Sequence, residues 1–116
     1  MICEGCKNLI VTIVKKGWAE KVISASRNAG AEGGTILMGR GTGINEKQSV
    51  FGLPIEPEKE IVLTIVEVEQ TDDILLAIEE AAELNNPGMG IAFVLSLDKI
   101  AGRVHMISKY TKEEES

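Results

Sequence analysis

Two glycine-rich turns carry most of the chemistry available to this sequence: Gly39-Arg40-Gly41-Thr42-Gly43 and Gly88-Met89-Gly90. Glycine has no Cβ, so backbone amides in such turns can approach an anion closely and form a concave nest around it. The first turn follows a strand pattern but opens a loop, so it meets the context of neither the dinucleotide fingerprint nor the P-loop. A bent strand end that needs glycine for its own geometry also accounts for it. The second turn follows Asn85-Asn86-Pro87, a helix stop whose residues turn chemistry alone explains. Lys59 and Arg103, on residue type alone, are solvated surface charges.

Other reactive residues are few. Cys3 and Cys6 have the spacing of half a metal site or of a redox pair, but His105 is the single histidine and lies far along the chain. A structural zinc site needs four ligands, so the pair is expected to be two incidental thiols near a flexible terminus, and no metal site is assigned. Nothing resembles a Ser/His/Asp or Cys/His nucleophile set, and the acidic residues fall on a solvent-facing helix surface or in the tail. No enzymatic activity is expected. A net charge of −6 and 3% aromatic residues argue against a nucleic-acid groove, which needs cations and stacking platforms. No apolar run approaches the ~20 residues of a membrane span, and two close cysteines do not staple a secreted scaffold. The cytoplasm is the expected compartment.

The elements that must position these turns follow from hydrophobic period. The chain is read as a single domain over residues 1–116, with 1–7 and 111–116 expected to be flexible. Residues 8–16 are β-branched on both faces, as in an interior strand. Residues 18–29 switch to helical period, with Ala19, Val22, Ile23 and Ser26 on one face and Gly30 in the usual C-terminal position. Strands are expected at 34–40, 61–68 and 91–97, with a short fifth at 103–107. Thr71 is expected to cap a second helix whose first turn holds Asp72 and Asp73, favourable for the helix dipole. Between the second and third strands lies a long loop, a length that usually signals function. Its apolar stretch, Val50, Phe51, Leu53 and Ile55, either folds back on the protein or docks a partner.

The order is β-α-β, long loop, β-α-β, which predicts an α+β, ferredoxin-like βαββαβ domain with an antiparallel sheet and both helices on one face. The other sheet face is also apolar, represented in this reading by Ile10, Val14, Val62 and Val66. Nothing left in the chain can cover it, which predicts an oligomer.

With that layout the sequence resembles the P-II nitrogen-regulatory family. The likeness runs through Gly30-Ala31-Glu32-Gly33, Arg40-Gly41-Thr42-Gly43, Glu69-Gln70-Thr71-Asp72, Glu80-Ala81-Ala82 and Gly88-Met89-Gly90-Ile91-Ala92-Phe93-Val94-Leu95, in order and at matching spacing. The resemblance implies a homotrimer that binds ATP or ADP as effector, not cofactor, in clefts between subunits and regulates a transporter or enzyme, as in nitrogen metabolism. Carried over by position, the nucleotide-binding residues are Thr35, near the adenine, with Gly41, Thr42 and Gly43 at the loop base and Lys59 on its return. Gly88, Met89 and Gly90 face the phosphates, and Arg103 comes from near the C-terminus. Residues 43–60 correspond to the family's long T-loop, shortened here, with Val50, Phe51 and Leu53 as the partner-binding tip. The loop has no tyrosine, so the uridylylation of some relatives has no acceptor.

The chain departs from the family pattern in its cleft. Ile91 stands where a lysine is usual, Gly102 and Val104 where two arginines are, and Asn45 where a glutamine helps hold metal and triphosphate. A metal-binding trimer resembling the divalent-cation tolerance proteins is the alternative reading.

Overall fold

The computed structural model describes residues 2–42, 49–50, 53–54 and 57–102, with backbone alone at 49–50 and 53–54. The elements are β1 (Ile2–Lys15), α1 (Ala19–Asn28), β2 (Thr35–Arg40), β3 (Ser49–Val50), β4 (Leu53–Pro54), β5 (Glu58–Glu67), a single 3₁₀ turn (Val68–Gln70), α2 (Thr71–Ala81) and β6 (Gly90–Ala101). β2, β5, β1 and β6 form one four-stranded sheet in that order, with every pairing antiparallel. This is the expected ferredoxin-like arrangement. β3 and β4 pair with each other inside the long loop. No helix among the described residues is long and apolar enough to cross a membrane.

One sheet face carries the core. Ile10, Val14, Val62 and Val66 are almost fully buried with Val22 of α1 and Ile74 and Ile78 of α2. The expected assignment of faces is therefore corrected: these four sheet residues lie under the helices. The bare face belongs to the opposite parity, where Leu9, Val11 and Ile13 are aligned with Ile65, Leu63 and Ile61 on one side and Leu95, Phe93 and Ile91 on the other. Leu37, Ile65, Ile91, Phe93 and Leu95 there are between 39% and 56% exposed. Two apolar faces give no sequence signal for which one the helices choose.

Local chemistry explains the helix ends. Trp18 gives α1 no side-chain cap; instead the Glu60 carboxylate on β5 accepts hydrogen bonds from the amides of Gly17 and Ala19, each 2.9 Å. At the other end Gly30 N–H donates to Arg27 O and Ala31 N–H to Ser26 O, a Schellman motif with Gly30 at φ +120°. α2 ends the same way, with Glu83 N–H on Glu80 O and Leu84 N–H on Glu79 O. Its left-handed residue is Glu83, at φ +55°, so the helix stops before the Asn-Asn-Pro-Gly run. Thr71 is a helical residue, not the cap. Its hydroxyl donates to Glu67 O (2.9 Å) and accepts from Asn8 Nδ2 (3.0 Å).

β1 begins at Ile2, six residues before the expected start, so most of the segment expected to be flexible is strand. Cys3 and Cys6 are both buried and joined by a disulfide, which replaces the reading of two incidental thiols. β6 runs on to Ala101, past its expected end. The fifth strand expected at 103–107, and the tail at 111–116, lie outside the described residues.

Candidate functional site

The ladder registers bring the two glycine turns to one end of the sheet. Gly39 and Arg40 of β2 pair with Lys59 and Glu58 of β5. Lys59 in turn faces Lys15 of β1, and Val14 of β1 faces Gly90 of β6. Just beyond the β2–β5 ladder, Gly41 N–H donates to Pro57 O at 3.1 Å, closing the base of the long loop like a clamp. Gly41, Thr42, Lys59, Gly88, Met89 and Gly90 therefore gather at this end. Thr35 pairs with Leu63 at the other end of β2, five residues from Arg40 and about 17 Å away at the rise of a strand. Within one chain it does not join the others. Gly43, Phe51 and Arg103 lie outside the described residues, and Val50 and Leu53 are placed by backbone alone, paired across β3 and β4.

The glycines differ in what they answer to. A Cβ on Gly90, at φ +140°, would sit 2.3 Å from Ile13 O and 3.2 Å from Val14 Cα. Glycine is required there by the backbone of β1, so substituting it would disturb the β1–β6 ladder along with any ligand. A Cβ on Gly41 would meet only Lys59 Cγ, at 4.0 Å. That position is open to change without a steric cost to the fold.

Electrostatics mark the same sheet end. Lys15 and Lys59 occupy directly opposed ladder positions, an arrangement that repels. Arg40 is exposed at the adjoining end of β2. Of the nearby carboxylates, Glu58 pairs with Lys16 at 3.4 Å and Glu60 is committed to the amides that begin α1. Lys15, Lys59 and Arg40, cations gathered at one sheet end beside the backbone amides of the glycine turn, are chemistry that suits an anion. Lys15 was missed in the sequence because a lysine at the end of a strand is ordinary; only its register opposite Lys59 singles it out. No group of three or more metal-ligating side chains occurs among the described residues.

A second polar cluster lies at the far end of the sheet. Lys7 is 3% exposed, with its Nζ 3.6 Å from Glu67 Oε1, an ion pair just beyond hydrogen-bond reach. It sits beside the Asn8–Thr71 contact and ties β1 to the entry of α2. It is a structural feature of that corner, distant from the glycine turns.

Comparison with known proteins agrees with this fold. The crystal structure of Arabidopsis thaliana PII bound to citrate superimposes with a TM-score of 0.64 at 23% identity, covering 81% of this chain and 79% of that one; this is a likeness of fold. No significant match is found among curated protein sequences. The model of the nitrogen regulatory protein P-II family matches residues 7–103, spanning β1 from Lys7, both helices, the long loop and all of β6. The chain belongs to the nitrogen regulatory protein P-II family.

Proposed function

We propose that this P-II protein is a homotrimeric regulator that binds an adenine nucleotide, ATP or ADP, at its subunit boundaries and signals through residues 43–60. The observation that carries this reading is the meeting of the loop base, the short glycine turn and the Lys15–Lys59 pair at one sheet end, beside an apolar face that neither α1 nor α2 covers. Burying that face against other copies would bring neighbouring chains to the cleft. There Thr35 and Arg103 of adjacent subunits could complete a site that one chain leaves open. The Arabidopsis PII structure holds citrate, a polyanion, which agrees with an anion-binding role for the shared fold.

The clamp between Gly41 and Pro57 makes the loop base responsive to whatever occupies the cleft. A ligand that orders a loop is a physically simple switch, and Val50, Phe51 and Leu53 give its tip the apolar character of a docking surface for a transporter or metabolic enzyme. Ile91, Gly102 and Val104 each remove a cation found in the family's cleft. A single charge-assisted hydrogen bond contributes about 1.5–3 kcal/mol, so affinity should fall below that of relatives that keep them. Calorimetry with ATP and with ADP tests the reading: a saturable heat near one nucleotide per chain is expected, and Lys59→Gln should weaken it about tenfold or more. Absence of heat with either nucleotide, in protein whose assembly is intact, would overturn the nucleotide assignment.

A further inference from the structure

The Cys3–Cys6 disulfide spans a sequence separation of three and bridges a slip in the sheet. Glu4 pairs with Lys99, and the next pair along is Lys7 with Leu97. Gly5 and Cys6 thus oppose Asp98 alone, a β-bulge, and Gly5 takes φ +62° within it. On its other side, among the described residues, β1 is paired from Lys7 onward, where Glu67 of β5 begins the ladder. Among the described residues, Ile2, Cys3 and Glu4 therefore pair with Ala101, Ile100 and Lys99 as a two-stranded ribbon that continues past the β1–β5 ladder. Such a ribbon is marginal on its own in water.

The disulfide stands at the border between this ribbon and the firm sheet. On the inner side, the buried Lys7–Glu67 pair holds register. On the outer side, the described pairing is to β6. A ring this short contributes less chain-entropy stabilisation than a long one would, and what it constrains directly is the bulge and the ribbon beside it. The family match begins at Lys7, which leaves both cysteines outside the shared P-II segment.

We propose that Cys3–Cys6 is a redox-operated clasp on the terminal ribbon, opened by a dithiol reductant and closed again by a disulfide oxidant. A thiolate of the reductant attacks one cysteine sulfur and the Cys3–Cys6 bond breaks, giving a mixed disulfide and one free thiol. The reductant's second thiolate then attacks the reductant sulfur of the mixed disulfide and expels the cysteine bound there as the second free thiol. The reductant leaves as its cyclic disulfide, and the protein gains two electrons and two protons. Both cysteines are buried, Cys3 at 9% and Cys6 at 7% exposure, so exchange proceeds through transient opening of the ribbon. Reduction frees the bulge and loosens residues 2–4 and 99–101, while pairing from Lys7 inward persists.

The test uses the full chain, isotopically labelled, before and after treatment with dithiothreitol. Iodoacetamide should add to no cysteine in the air-oxidised protein and to two after reduction. Hydrogen exchange followed by NMR should quicken at least tenfold at Glu4, Lys99 and Ile100 on reduction, stay unchanged at Ile10 and Thr64, and return with oxidised glutathione. Cys3→Ser should behave as the reduced form under both conditions. Two adducts without reductant, equal ribbon exchange in both states, or loss of protection at Ile10 and Thr64 would each overturn the clasp.

Discussion

Phe93→Asp places a carboxylate at the centre of the bare sheet face, and its consequence depends on what covers that face. Phe93 is opposite Val11 on β1, which is opposite Leu63 on β5, and it is 39% exposed in the single chain. Fully burying a Leu, Ile or Phe side chain contributes about 1.5–3 kcal/mol. The five most exposed residues of the face are each about half open, so covering them stabilises an assembly by roughly 5 kcal/mol per chain by the same scale. Phe93 supplies about 1 kcal/mol of that. Replacing it by an unpaired buried charge adds a penalty of several kcal/mol. The expected loss, about 1 kcal/mol of burial plus several for the charge, matches the hydrophobic gain of the whole face, so Phe93→Asp should be a folded monomer. Light scattering should report three chains for the wild type and one for the variant, with the helical circular dichroism of both alike. If the variant keeps the wild-type mass, or if the wild type is itself monomeric at micromolar concentration, the face is not an assembly surface and the reasoning fails.

Three further substitutions probe the fold that carries the site. Glu60→Ala removes the carboxylate that receives the Gly17 and Ala19 amides; loss of about 1–2 kcal/mol is expected in urea denaturation, typical of a lost helix cap. Glu83→Gly relieves a non-glycine left-handed residue and should raise stability by up to about 1 kcal/mol in the same assay. Thr12 and Thr64 are fully buried with hydroxyls that have no hydrogen-bond partner. Thr12→Val with Thr64→Val should be neutral or stabilising, since replacing an unsatisfied polar group by an apolar one of the same shape removes its desolvation cost; thermal unfolding reads the result.

The order of elements was legible because each changes hydrophobic period cleanly, and the end of α1 because a glycine marks it. The end of α2 was not, since Glu83 occupies a left-handed position that propensity assigns to glycine or asparagine. The start of β1 was hidden by the bulge at Gly5 and Cys6, which breaks the alternation a strand reader follows. Two uniformly apolar faces concealed which one carries the helices, and so exchanged Leu9, Val11 and Ile13 with Ile10 and Val14. At the site, the glycines at 41 and 90 were visible, but their separate reasons were not. One is held by the β1 backbone and the other stands at an open loop base, a distinction that exists only in three dimensions. Lys15 acquired meaning only from its register opposite Lys59.

Regulation requires that the ligand reach the loop, and hydrogen exchange of residues 43–56 in the assembled protein, with and without ATP, measures this directly. Amides in that segment should exchange markedly more slowly when ATP is bound, while those of Val14 and Val62 stay as they were. Equal exchange in the two states, with ATP binding verified by calorimetry in the same sample, would contradict a ligand-driven signal through this loop.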